Sequence, residues 1–167
     1  MGILPKHDFA ALKGIDIECK QGQIVALLGH NGSGKTTMIN VLTARQRATN
    51  AHGDGEDASV VKIAGCDVND ISTLTARSRA IGVCPQNLMC FTELSLADNV
   101  RIVGRLRGLS DKQVEDDMRE LVVALGFVDE HETGDVLQHA SINRPVGKFS
   151  GGMARRLQIL LALLGSP

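Results

Sequence analysis

Gly29-His30-Asn31-Gly32-Ser33-Gly34-Lys35-Thr36 gathers three glycines, a lysine and a hydroxyl residue into one short segment. Glycines at this spacing let successive backbone N–H groups turn inward toward an anion, which is the design of a phosphate-cradling P-loop. Lys35 supplies a point charge suited to β- and γ-phosphates, and the Thr36 hydroxyl is placed to ligate Mg2+. A second anion site is suggested by Phe149-Ser150-Gly151-Gly152-Met153, followed by Arg155 and Arg156. A serine and two glycine N–H groups at a helix start attract negative charge. Alone, Ser-Gly-Gly before a helix would be only a cap.

These motifs need elements to hold them. Gln23 to Leu28 is a short apolar run stopping at Gly29, the pattern of a buried parallel strand. Thr36 to Arg45 carries Met38, Ile39, Val41 and Leu42 and predicts a helix packed on that strand. Strand, glycine loop and helix together open a nucleotide-binding unit. Gln46 to Ser59 is polar and glycine-rich, hence a surface loop, with further strands expected at Val60 to Ile63 and Ala80 to Cys84. After Gln86 the pattern turns helical. Ser95 with Asp98 makes a capping-box-like start, and Leu96, Val100 and Val103 follow on one face. Ser110 with Gln113 repeats the device, and Val114, Met118, Leu121, Val122 and Leu125 form a stripe closed by Gly126. Residues 130–148 read as irregular and polar, and Ser150 is placed to cap a last helix from Gly151 to Leu164.

Composition narrows the class. With 167 residues, 43% apolar and 22% charged, the chain has the balance of one globular domain. Its longest apolar stretch, Leu157 to Leu164, is broken by Gln158 and is less than half of the roughly 20 residues that span a bilayer. Met1 to Ala10 carries Lys6, His7 and Asp8 where a signal peptide needs an apolar core, so a cytosolic compartment is expected. A net charge of -1 and 2% aromatic residues, with no Trp or Tyr, argue against nucleic acid as a ligand. Cys19, Cys66, Cys84 and Cys90 are too scattered for a zinc site or a disulfide framework and read as reduced thiols. His131 and His139 have no acidic or Cys partner at metal-ligand spacing.

Leu28 to Thr37 resembles the Walker A segment of ABC ATPases, and Phe149 to Met153 resembles their Leu-Ser-Gly-Gly-Gln signature. Ile81-Gly82-Val83-Cys84-Pro85-Gln86 is similar to the strand end leading into that family's Q-loop. Cys84 to Leu88, Phe91 to Ser95, Gly104 to Ser110 and Met153 resemble the A subfamily of ABC transporters, which implies lipid or sterol substrates. The resemblance implies an α/β P-loop NTPase (RecA-like) core with an inserted helical subdomain and with the C-terminal strands absent. Residues 1–86 would be the N-terminal part of the ATP-binding core with P-loop and Q-loop, 87–157 the helical subdomain with the signature, and 158–167 the end of the signature helix. It also implies the site: Gly29, His30, Asn31, Gly32, Ser33, Gly34, Lys35, Thr36 and Thr37 around the phosphates of ATP, with Thr36 and Gln86 on Mg2+. Lys35 and Gln86 are the implied catalytic groups, Gln86 reaching the attacking water. Ser150, Gly151 and Gly152 would bind the γ-phosphate of ATP held by a second ABC nucleotide-binding domain in a head-to-tail pair. Transmembrane domains are the other implied partners, which puts the chain at the cytoplasmic face of a membrane, driving transport by ATP hydrolysis.

Three features depart from that pattern, one being a stretch from Glu130 to Lys148 that is longer than the resemblance implies. An aromatic residue that stacks on adenine is usual before the first strand, and only His7 and Phe9 stand there; Phe9 is either that group or a packed strand residue. The Walker B strand, ending in Asp-Glu, is expected directly after a segment like Leu161 to Pro167, so its Asp, its general-base Glu and the switch His are not expected among these residues. Leu125-Gly126-Phe127-Val128-Asp129-Glu130 imitates such a strand but ends a helical stripe, and Asp129 and Glu130 read as solvated charges. At best weak ATP binding without turnover is the expectation for this polypeptide, with the run Gln23 to Leu28 exposing apolar surface and an unpaired edge and with poor solubility. Two other readings share the motifs. One is a nonenzymatic or vestigial nucleotide-binding fragment. The other is a soluble ABC ATPase of the DNA-repair or translation type, which should carry a basic surface that a net charge of -1 does not supply.

Overall fold

A computed structural model describes residues 10–46, 60–73, 80–129, 131 and 134–167. His7, Phe9, Glu130 and the loop residues 47–59 lie outside the described residues. The chain divides into two compact units, Met1–Leu74 and Thr75–Pro167.

In the first unit, helix α1 (Lys35–Leu42) buries Met38 and Val41. It ends three residues short of the expected Arg45, because Ala44 takes the left-handed φ of 54° and the Thr43 hydroxyl donates back to Ile39 O at 2.8 Å. Strands β1 (Lys62–Ile63) and β2 (Cys66–Asp67) pair antiparallel across Ala64-Gly65. Both turn residues have positive φ, 49° and 79°, which matches the twist of a tight hairpin. The strands expected at Gln23 to Leu28 and Ala80 to Cys84 are not formed; among the described residues the sheet is the β1–β2 pair. Ile24 is 100% exposed and Leu28 87%. A strand is stabilised by hydrogen bonds and side-chain pairs from strands beside it, and no described segment supplies them. Around Gly82 a different contact takes over: a Cβ there would sit 2.2 Å from Ala162 O, so this backbone packs directly on the end of the last helix.

The second unit is helical. Its elements are α2 (Leu96–Leu106), α3 (Asp111–Ala124), the short α4 (Ala140–Asn143) and α5 (Gly151–Leu163). Ser95 and Asp98 close a reciprocal capping box, as do Ser110 and Gln113. Helix α3 stops in a Schellman arrangement: Gly126 has φ 66°, its N–H donates to Val123 O, and Phe127 N–H donates to Val122 O at 2.8 Å. Of the expected stripe, Val114, Met118 and Val122 are core, and Leu121 and Leu125 pack half-buried against it. Leu96 and Val100, Val114, Met118 and Val122, Ile142, Leu157, Leu160 and Leu164 are all essentially inaccessible.

Helices α2 and α3 meet at Gly104, where an added Cβ would lie 2.3 Å from Val114 Cγ2. Val114 is buried and, being β-branched, has little rotamer freedom to retreat. Gly104→Ala is therefore expected to destabilise the unit by about 1–3 kcal/mol through overpacking, and Val114→Ala in addition should recover part of that loss. Urea unfolding followed by circular dichroism measures both; a stabilised Gly104→Ala chain would contradict the packing.

The segment read as irregular is built from local caps. Asp135 caps a 3-10 turn at Val136–Gln138 by accepting from Leu137 N–H, and His139 Nδ1 caps α4 by accepting from Ser141 N–H at 3.2 Å. Arg119 Nη1 bonds Asp135 at 2.5 Å and holds its carboxyl below the ordinary value, helped by the Leu137 N–H. A carboxyl depressed in the folded state contributes stability that is present above its unfolded pKa, near 4, and is lost as pH falls through the folded value. Acidification from about pH 6 to about pH 3 should thus lower the urea midpoint more in the natural chain than in Asp135→Asn. Equal loss in both would remove Asp135 from the acid response.

Candidate functional site

The glycine loop of the first unit is shaped by its own contacts. Gly32 and Gly34 have φ of 83° and 91°, a conformation that costs a side-chain-bearing residue about 1–2 kcal/mol. Gly34 is also crowded, since a Cβ would meet Ala11 O at 2.8 Å and Leu12 Cδ2 at 2.9 Å. Gly29 faces Ser33 Oγ at 2.6 Å on the same test. Lys35 Nζ donates to Gly29 O and His30 O, both at 2.7 Å, which fixes its ammonium at the start of the loop. Helical bonding begins only at Met38, whose N–H reaches Gly34 O at 2.9 Å. The N–H groups of Lys35, Thr36 and Thr37 therefore precede the hydrogen-bond ladder, at the positive end of α1. Thr36 is exposed and Thr37 half-buried. Chemically, the arrangement can hold an anion of several oxygens; it fits a polyphosphate, with the exposed Thr36 hydroxyl available to a hard cation.

In the second unit Gln86 is exposed, and the carbonyls of Pro85 and Asn87 on either side of it are bonded to side chains of α5. Ser150 caps α5 with its hydroxyl accepting from Met153 N–H at 3.3 Å. Gly151 and Gly152 differ from the loop glycines. They lie in the first helical turn without positive φ, and among the described residues a Cβ on either would meet nothing within 4 Å. Neither strain nor crowding in this chain calls for glycine at these positions. Bare backbone at an exposed helix start suits close approach by another molecule.

The approach to Ser150 is tied down by hydrogen bonds and ring contacts. Val146 N–H donates to Leu94 O and Gly147 N–H to Thr92 O, pinning the segment before the signature to the segment after Gln86. Phe149 packs tilted against Phe127 with ring centroids 5.9 Å apart, Arg144 lying over the Phe149 ring and Arg156 over the Phe127 ring. Arg156 further donates to Leu125 O and Gly126 O, tying α5 to the end of α3. Asn99, buried in α2, exchanges two hydrogen bonds with the Phe91 backbone and donates to Ser95 O. Asp129 follows a helix end rather than a strand, and its carboxylate accepts from His131 N–H. Sequence reasoning missed Asn99 and Gln158; the available signal was a polar residue inside each apolar helical face.

The chain follows the path of a P-loop NTPase. An ATP-binding cassette solved as a dimer in a post-hydrolysis state, bound to ADP and Pi, superposes with a TM-score of 0.68 over 94% of this chain and 62% of that one, at 23% identity. The chain belongs to the ABC transporter family, whose model matches residues 12–167. Human ATP-binding cassette sub-family A member 10 is 30% identical over 157 residues, covering 94% of this chain and 9% of the relative. The rat cholesterol transporter ABCA5 is 29% identical over 157 residues, again 94% of this chain and 8% of the relative. The chain thus spans less than a tenth of the length of these two relatives. Among the described residues no helix is long and apolar enough to cross a membrane.

Proposed function

We propose that this chain binds ATP with Mg2+ as a nucleotide-binding part of an A-subfamily ABC transporter that moves a lipid-type substrate. The observation that carries the ATP site is the pairing of a fixed Lys35 ammonium with the first-turn N–H groups of Lys35, Thr36 and Thr37. Gly29, His30, Asn31, Gly32, Ser33 and Gly34 line the cradle by backbone, Lys35 neutralises the β- and γ-phosphates, and Thr36 with Gln86 ligates the metal. A Mg2+ ion held there by Thr36 and Gln86 would supply positive charge to offset the charge that develops during transfer. Gln86 orients water, while Ser150, Gly151 and Gly152 offer their helix start to ATP on a second such domain, head to tail. The open surroundings of the two glycines support this reading, as does the dimeric state of the structural relative. Lipid is favoured by the name of the rat relative, a cholesterol transporter, and a membrane-side location by the transporter family.

A polypeptide of this sequence is further proposed to bind ATP without turning it over, because the resemblance assigns none of its residues to the Walker B Asp and Glu. Phosphate release by that polypeptide should equal that of a Lys35→Ala control. Robust release that depends on Lys35 would contradict this and would point to another acid, Glu130 first, in that role.

A further inference from the structure

The backbone on both sides of Gln86 is held by one helix. Arg155 Nη1 donates to Pro85 O at 2.6 Å, and Gln158 Nε2 donates to Asn87 O at 2.5 Å, with a longer contact to Pro85 O at 3.5 Å. Arg155 and Gln158 are three residues apart on α5 and so share a face, where Arg155 Nη1 also reaches Gln158 Oε1 at 3.4 Å. Gln158 is 5% exposed and sits among Leu157, Leu160 and Leu161. A carboxamide buried in an apolar helix face is costly unless its polar atoms are bonded, whereas leucine would continue the run without that cost. The bonds it makes are to the backbone around Gln86, an exposed residue that is itself free of any such packing demand.

We propose that Gln158, with Arg155, is a positioning residue that fixes the backbone on either side of Gln86 and thereby sets where the Gln86 carboxamide reaches. The anchor lies on the helix whose first turn is Ser150-Gly151-Gly152, two turns before Gln158. The functional half of the inference rests on the metal-ligating role given to Gln86 above; the tether does not.

The test uses the 167-residue chain with Gln158→Met, which keeps length and apolar packing and removes the donor. Hydrogen exchange by mass spectrometry should show amides of 86–89 exchanging about threefold to tenfold faster, with α2 unchanged as the sign that the unit is folded. Arg155→Met should act in the same direction, and Arg155→Lys, which keeps a donor, should restore most of the protection. In parallel, the Mg2+ concentration needed for half-maximal binding of fluorescent ATP should rise severalfold in Gln158→Met, with metal-free nucleotide affinity unchanged. Gln86→Ala should reproduce the metal effect without faster exchange. Unchanged exchange in Gln158→Met overturns the tether. A metal effect in Gln86→Ala but not in Gln158→Met overturns the positioning role. Faster exchange with no metal effect in either variant supports the tether and defeats the metal role of Gln86.

Discussion

Lys35→Ala is expected to weaken ATP binding roughly 10- to 150-fold, because one charge-assisted contact to phosphate contributes about 1.5–3 kcal/mol. The structure gives a reason to expect the upper part of that range. The Lys35 ammonium sits between Gly29 O and His30 O, and its removal leaves two carbonyl oxygens at the loop with no cation between them and an incoming anion. Their partial negative charge then opposes the phosphates. Titration of a fluorescent ATP analogue into both proteins measures the change. Equal affinity in the two would remove the ATP site from residues 29–37.

Ser150→Arg should abolish ATP-driven dimerisation in a full-length context while leaving nucleotide binding by the separate domain nearly intact. The argument is steric and local. Gly151 and Gly152 leave the start of α5 open, and an arginine at the cap both fills that space and loses the hydroxyl that accepts from Met153 N–H. Its charge is not the obstacle, since a cation near phosphate is favourable; its bulk is. Light scattering with and without ATP reports the outcome, and ATP-dependent dimers that survive the change would contradict the head-to-tail arrangement.

What could be read from sequence was what neighbours in the chain decide. The boxes at Ser95 with Asp98 and Ser110 with Gln113 are contacts over three residues, and each forms as expected. Ser150 caps its helix for the same reason. In the stripe from Val114 to Leu125, helical spacing brings Val114, Met118 and Val122 into the core and sets Leu121 and Leu125 at its margin. The runs Gln23 to Leu28 and Ala80 to Cys84 show the opposite case. Apolar composition allows a strand, but only a neighbouring strand stabilises one, and that depends on residues remote in sequence. Within residues 130–148, read as irregular, the described stretch 134–148 takes its order from single-residue caps such as His139, which carry little periodicity. Gln158 was visible only as an interruption of an apolar run; its partners at Pro85 and Asn87 lie more than 70 residues away.

Amide resonances of the first turn of α1 give the most direct view of the ATP site. With 15N-labelled protein titrated with MgATP, the N–H signals of Gly34, Lys35, Thr36 and Thr37 should shift progressively and saturate, and in Lys35→Ala the same concentrations should leave the remaining signals almost unmoved. Saturable ATP binding that shifts other amides and leaves these four in place would contradict the assignment of the glycine loop as the nucleotide site.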